Sequence, residues 1–160
     1  MRGLLPTLPL LGPDVNIVST FLKILIINTV IGGIIFCSCN FIKLKDLPLG
    51  YVAVWCQIFI YGLVKGTNSF EYPYPSLQAS FIGFLRTGLW EFTAYILTVC
   101  STANIALYRQ DSWFSSNLTK VRDLKDVKLC RNEIIAYFTG ILILVASALT
   151  ESLAIFKVIP

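Results

Sequence analysis

The sequence predicts an all-α membrane protein: a multipass transmembrane helical bundle of about four spans, with a broken helix near residues 86–88 and one short interfacial amphipathic helix. Three observations point there. Of the 160 residues, 56% are hydrophobic and only 14% are charged, whereas soluble domains run nearer half apolar and a quarter charged. The apolar residues gather in runs long enough to cross a hydrocarbon core of about 30 Å, which takes roughly 20 helical residues. The Lys and Arg residues cluster between those runs, mostly in one loop. Residues 1–160 therefore read as a single transmembrane domain.

Residues 1–16 hold Pro6, Pro9 and Pro13 among a few leucines, without the basic start, long apolar run and small-residue cleavage site of a signal peptide. The first span, about residues 17–42, includes Lys23 and Asn28 and stops at Lys43, Lys45 and Asp46. A second, about 47–64, has Gln57 as its one strongly polar interior residue and closes at Lys65. Gly62 and Gly66 near its end form a GxxxG pair, a spacing that lets two helices approach closely. Residues 66–76, rich in Gly, Asn, Pro and Tyr, then read as a surface loop.

The third region, 77–107, is interrupted near its start. Residues 77–85 are too short to span, Arg86-Thr87-Gly88 intervene, and 89–107 make a full crossing. A broken helix accounts for this more directly than one long tilted helix whose Arg86 reaches for the headgroups. Residues 108–132 hold Arg109, Lys120, Arg122, Lys125, Lys128 and Arg131. Leu118, Val121, Leu124 and Val127 recur there at near-helical spacing, which predicts the surface helix, capped by Ser115, Ser116 or Asn117 and anchored by Trp113 and Phe114. The last span, about 134–156, is apolar apart from Glu151.

Four crossings put the loops after the first and third spans on one side, and that side carries most of the Lys and Arg. The positive-inside rule then makes it cytoplasmic, with both termini outside a cell membrane. The net charge of +4 is thereby explained by orientation rather than by nucleic acid.

An ionised carboxylate in the hydrocarbon costs at least about 2 to 3 kcal/mol unless it is paired or protonated. Glu91 and Glu151 lie at matching depths on antiparallel spans, both roughly 25 Å from the basic-loop surface at ~1.5 Å per residue. Lys65 and Arg86 belong to the same layer, so a cluster of Glu91, Glu151, Lys65 and Arg86 is expected, with Glu91 paired to Arg86 or Lys65. The cluster reads as ion pairing that pins the broken helix, or as a site for a proton or cation. The chain has no histidine, the commonest general base and metal ligand. Its five cysteines show no paired CxxC spacing, and Cys37-Ser-Cys39 is more simply helix packing than a soft-metal site. No metal or cofactor is implied.

The stretch Thr87-Gly88-Leu89-Trp90-Glu91-Phe92-Thr93-Ala94 resembles the His-Gly-x-x-Glu-x-x-Ala signature of the stage II sporulation protein M-like membrane family. Asn28 with Gly32-Gly33, then Gly62 and Gly66, echo that family's spacing upstream. Gly88, Glu91 and Ala94 carry over, whereas Thr87 stands where the family has His. The resemblance implies a compact multipass bundle whose sporulation members work in a membrane complex with cell-wall-degrading partners.

Together these readings describe a non-enzymatic, oligomeric scaffold or subunit of a membrane complex, in contact with the lipid bilayer and with itself or other membrane proteins. The alternative is a channel or transporter component that uses Glu91 and Glu151 for a proton or cation. The orientation can be checked with single cysteines at Ser116 and near Pro160, in a background lacking the native ones. An impermeant thiol reagent on intact cells is expected to label the position near Pro160 and to spare Ser116; the reverse pattern inverts the topology.

Overall fold

Within a bilayer every backbone N–H and C=O must find a partner inside the protein, which favours long helices with compact ends. The computed structural model describes residues 16–67, 75–112 and 117–156, and among them four helical runs follow this rule. The first helix, Ile17–Cys39, starts where the Asn16 side chain accepts the Ser19 N–H at 2.7 Å, an N-cap that satisfies one orphan donor. The second is Leu49–Thr67. The third occupies residues 77–101 and is capped by Ser76, whose hydroxyl accepts the Ala79 N–H at 3.1 Å. The fourth, Arg131–Ile155, is capped by Glu133, whose carboxylate accepts the Cys130 N–H at 2.7 Å.

The first, second and fourth helices are long and apolar enough to cross a membrane. Arg86 and Glu91 make the third more polar. Its C-terminal half packs most extensively against the fourth helix. At the crossing, a Cβ on Gly140 would come 2.7 Å from Thr98 Cγ2 and 3.1 Å from the Ala94 carbonyl, so the two backbones approach through small residues. Leu144, Ser147, Ala148 and Ser152 continue the buried face of the fourth helix. An aromatic chain fills the other side of the third: Tyr61 meets Phe92 edge-on at 5.2 Å between ring centres, and Tyr95 meets Phe36 at 5.5 Å.

At one end the helices run into a small sheet, so the fold is mostly helical rather than all-α. Strands β1 (Ile42–Leu44), β2 (Leu47–Pro48), β3 (Tyr108–Gln110) and β4 (Leu118–Lys120) lie in the order β2-β1-β3-β4. β1 pairs antiparallel with β2 across a tight turn, in which Lys45 takes a φ of 55°. It pairs parallel with β3, and β3 pairs antiparallel with β4. The loops after the first and third helices thus share one end of the molecule.

Four expectations are corrected. The helix does not break at 86–88; it widens into a π-helical stretch, Phe84–Gly88, and continues, with the Leu89 N–H reaching back to the Phe84 carbonyl. It ends at Ser101 rather than near 107, and the chain then turns toward β3, the Leu107 and Tyr108 N–H groups bonding to the Phe41 carbonyl at 2.8 and 3.0 Å. The first helix likewise stops at Cys39, because residues 42–44 join the sheet. The expected surface helix is instead β4 followed by a single turn of 3₁₀ helix, Leu124–Asp126. The open edge of β3 captures residues 118–120, so pairing across the sheet outweighs their helical spacing. Asn117 precedes β4 instead of capping a helix. The proposed caps Ser115 and Ser116, and the anchors Trp113 and Phe114, lie outside the described residues.

Gly140→Leu is expected to lower the thermal midpoint of the detergent-solubilised protein, by about 1–3 kcal/mol of overpacking. Gly62→Leu, at a position with no neighbour within 4 Å, should leave that midpoint within experimental error.

Candidate functional site

The first helix also widens, over Thr29–Ile35, with the Phe36 N–H bonding to the Ile31 carbonyl. A widened turn displaces carbonyls from their usual partners, and in a low-dielectric interior each one left unpaired costs several kcal/mol. Neighbouring side chains take up those carbonyls. The Gly32 carbonyl accepts the Thr98 hydroxyl at 3.3 Å and the Cys37 thiol at 3.5 Å. The Gly33 carbonyl accepts the Tyr137 hydroxyl at 2.9 Å. In the third helix the Thr87 carbonyl accepts the Ser147 hydroxyl at 3.2 Å. Gly32 is required by close approach, since a Cβ there would enter the Tyr95 ring.

Beside the first widened turn sits a polar layer. Asn28 Nδ2 donates to Glu91 Oε1 at 2.7 Å, and the Tyr95 hydroxyl donates to Asn28 Oδ1 at 3.2 Å. This ties the first helix to the third through an amide, a carboxyl and a phenol. Glu91 and Glu151 are half-buried and within hydrogen-bonding contact of each other, and Lys65 is close enough to interact with both. Two carboxylates at contact repel unless a proton or a cation accompanies them. The Lys65 ammonium lies 5.3 Å from the centre of the Tyr61 ring, a cation–π distance.

The expected direct pair of Glu91 with Arg86 or Lys65 is replaced by the amide of Asn28. No N···O contact within 4 Å joins Glu91 to either base among the described residues. Arg86 sits half-exposed in the widened turn and makes no side-chain hydrogen bond or ion pair among the described residues. Gly88 is buried against Phe84 and the Tyr61 hydroxyl, and Ala94 is fully buried at the crossing with the fourth helix. Gly62 and Gly66 are exposed with nothing within 4 Å, so no helix among the described residues packs against them. They line instead a groove of about 430 Å³ between the second and third helices, along with Lys65, Phe81 and Phe84.

A second polar junction went unforeseen. Asn40 is fully buried at the end of the first helix. Its Nδ2 donates to the Val99 carbonyl at 2.8 Å and to the Thr102 hydroxyl at 2.9 Å, while its Oδ1 accepts the Gly50 N–H at 2.9 Å. One side chain thereby joins three helices. Its only sequence signal is a carboxamide directly after an apolar run, and nothing local names its partners. Tyr137 was missed for the same reason: its acceptor exists only because the first helix widens.

No family model, curated protein or solved structure matches the chain.

Asn28→Leu strands the Glu91 carboxyl and the Tyr95 hydroxyl together, at a cost of about 1–3 kcal/mol for each orphaned group. The thermal midpoint should fall clearly. Asp111→Asn, on an exposed residue of the sheet end, should barely move it.

Proposed function

We propose that the protein is a non-enzymatic, multipass scaffold or subunit of a cell-membrane complex, crossing the bilayer four times and assembling with itself or with other membrane proteins. The observation that carries this reading is the 2.7 Å bond from Asn28 to Glu91. An acid engaged by a neighbouring helix's amide, with a phenol bonded behind that amide, is a packing element in the polar interior of a bundle. Asn28, Gly32, Gly88, Glu91 and Ala94, five of the residues behind the resemblance to the stage II sporulation protein M-like family, serve packing or polar contacts between helices, whereas Gly62 and Gly66 stay exposed, and the proposal extends that family's role in complexes to this chain. The open GxxxG pair, Gly62 and Gly66, offers a close-approach face for a further helix.

A channel or transporter component is the second reading, favoured by the contact between Glu91 and Glu151 beside Lys65. Intramembrane carboxyls beside irregular helix turns are where such proteins hold protons and cations.

The particle mass in detergent, measured for the purified protein and for Gly62→Leu/Gly66→Leu, tests the assembly. A defined complex that loses mass in the double variant, at unchanged thermal midpoint, supports the subunit reading. A monomeric particle in both, together with a proton or cation flux in vesicles that Glu91→Gln abolishes, replaces it with the transporter reading.

A further inference from the structure

The sheet end presents a surface that the helical packing does not use. Leu118, Val121 and Leu124 are 49, 55 and 65% exposed within a short stretch of chain. Arg122, Lys125 and Lys128 alternate with them, and none of the three makes a hydrogen bond or ion pair through its side chain among the described residues. Nearby acids are partly engaged: Asp123 is held by Lys120, and Asp111 by Arg109 at 3.2 Å. Those two pairs are internal to the sheet end, whereas Arg122, Lys125 and Lys128 have no such partner among the described residues. The segment also has a fixed depth. β2 runs directly into the second helix and the 3₁₀ turn lies shortly before the fourth, both of them apolar enough to span, so the stretch lies at headgroup level.

Exposed aliphatic side chains interleaved with cations at that depth match an interface that is apolar below and anionic above. We propose that residues 118–128 form a binding surface for anionic phospholipid headgroups, with Leu118, Val121 and Leu124 entering the acyl boundary and Arg122, Lys125 and Lys128 holding the phosphates. The proposal rests on the chain lying in a bilayer and is independent of whether it acts as a scaffold or a transporter. The charges decide the occupant: Arg122, Lys125 and Lys128 outweigh the one exposed acid among them, Asp126, and a net positive surface on an apolar base suits a phosphate-bearing lipid surface better than a neutral one.

The test titrates the full-length, detergent-solubilised protein with micelles of phosphatidylglycerol or phosphatidylcholine and follows binding by thermal shift. Each cation near an anionic surface contributes about fivefold in affinity. Arg122→Gln/Lys125→Gln/Lys128→Gln should therefore lose on the order of a hundredfold for phosphatidylglycerol while its weak binding of phosphatidylcholine stays the same. The charge-conserving Arg122→Lys/Lys125→Arg/Lys128→Arg should keep the preference, which separates charge from misfolding. Equal binding of both lipids by the wild type, or a preference that survives in the Gln variant, overturns the proposal. So does inorganic phosphate alone giving the same shift, or an acidic protein that co-purifies with the wild type and displaces the lipid.

Discussion

The structure depends on what happens to a backbone carbonyl when an apolar helix widens. Two helices do so, over Thr29–Ile35 and Phe84–Gly88, and in an apolar interior a displaced carbonyl has no water to turn to. The fourth helix answers both, through the Tyr137 hydroxyl at Gly33 and the Ser147 hydroxyl at Thr87. These bonds set its height against both neighbours, because a shift of one turn would carry each hydroxyl about 5 Å from its acceptor. The small residues of the fourth helix, Gly140 foremost, are what allow the approach that makes the bonds possible.

Two polar junctions extend the same logic to other depths. Asn28, Glu91 and Tyr95 join the first and third helices in one layer, and Asn40 joins the first, second and third near the sheet. A buried carboxamide suits this work because it offers donors and an acceptor on one planar group without a charge to desolvate. Fixed at two depths, the first and third helices can neither slide nor rotate independently, and the apolar contacts of Phe36, Val99 and Leu144 fill the space so defined.

The parts of this arrangement that composition and periodicity encode were legible. Long apolar runs fixed three of the helices to within a few residues, since burial in lipid demands length above all. The shared depth of Glu91 and Glu151 followed from counting residues along antiparallel helices, because helical rise is nearly invariant. The partners were not legible. Asn28 was marked, but nothing in one sequence says that its amide, rather than Arg86, meets Glu91; that depends on rotation about the helix axis, which depth leaves open. Arg86-Thr87-Gly88 correctly marked an irregular turn while concealing its kind, because a widened helix and a broken one begin from the same polar interruption. At 118–127 the helical spacing of the aliphatic residues misled, since a partner strand distant in the chain was waiting.

That distant strand has a consequence for biogenesis. β1 leaves the first helix early in synthesis, but its parallel partner β3 is made only after two more helices. Until then the small hairpin of β1 and β2 keeps an open edge, able to pair with whatever extended chain comes near. Closing that edge requires the third helix to have arrived with its C-terminal end on the correct side. A chain whose second or third helix failed to pack would hold β3 away from that edge and leave β1 uncovered. Completion of the sheet is therefore tied to the packing of the helices that lie between its strands in the chain.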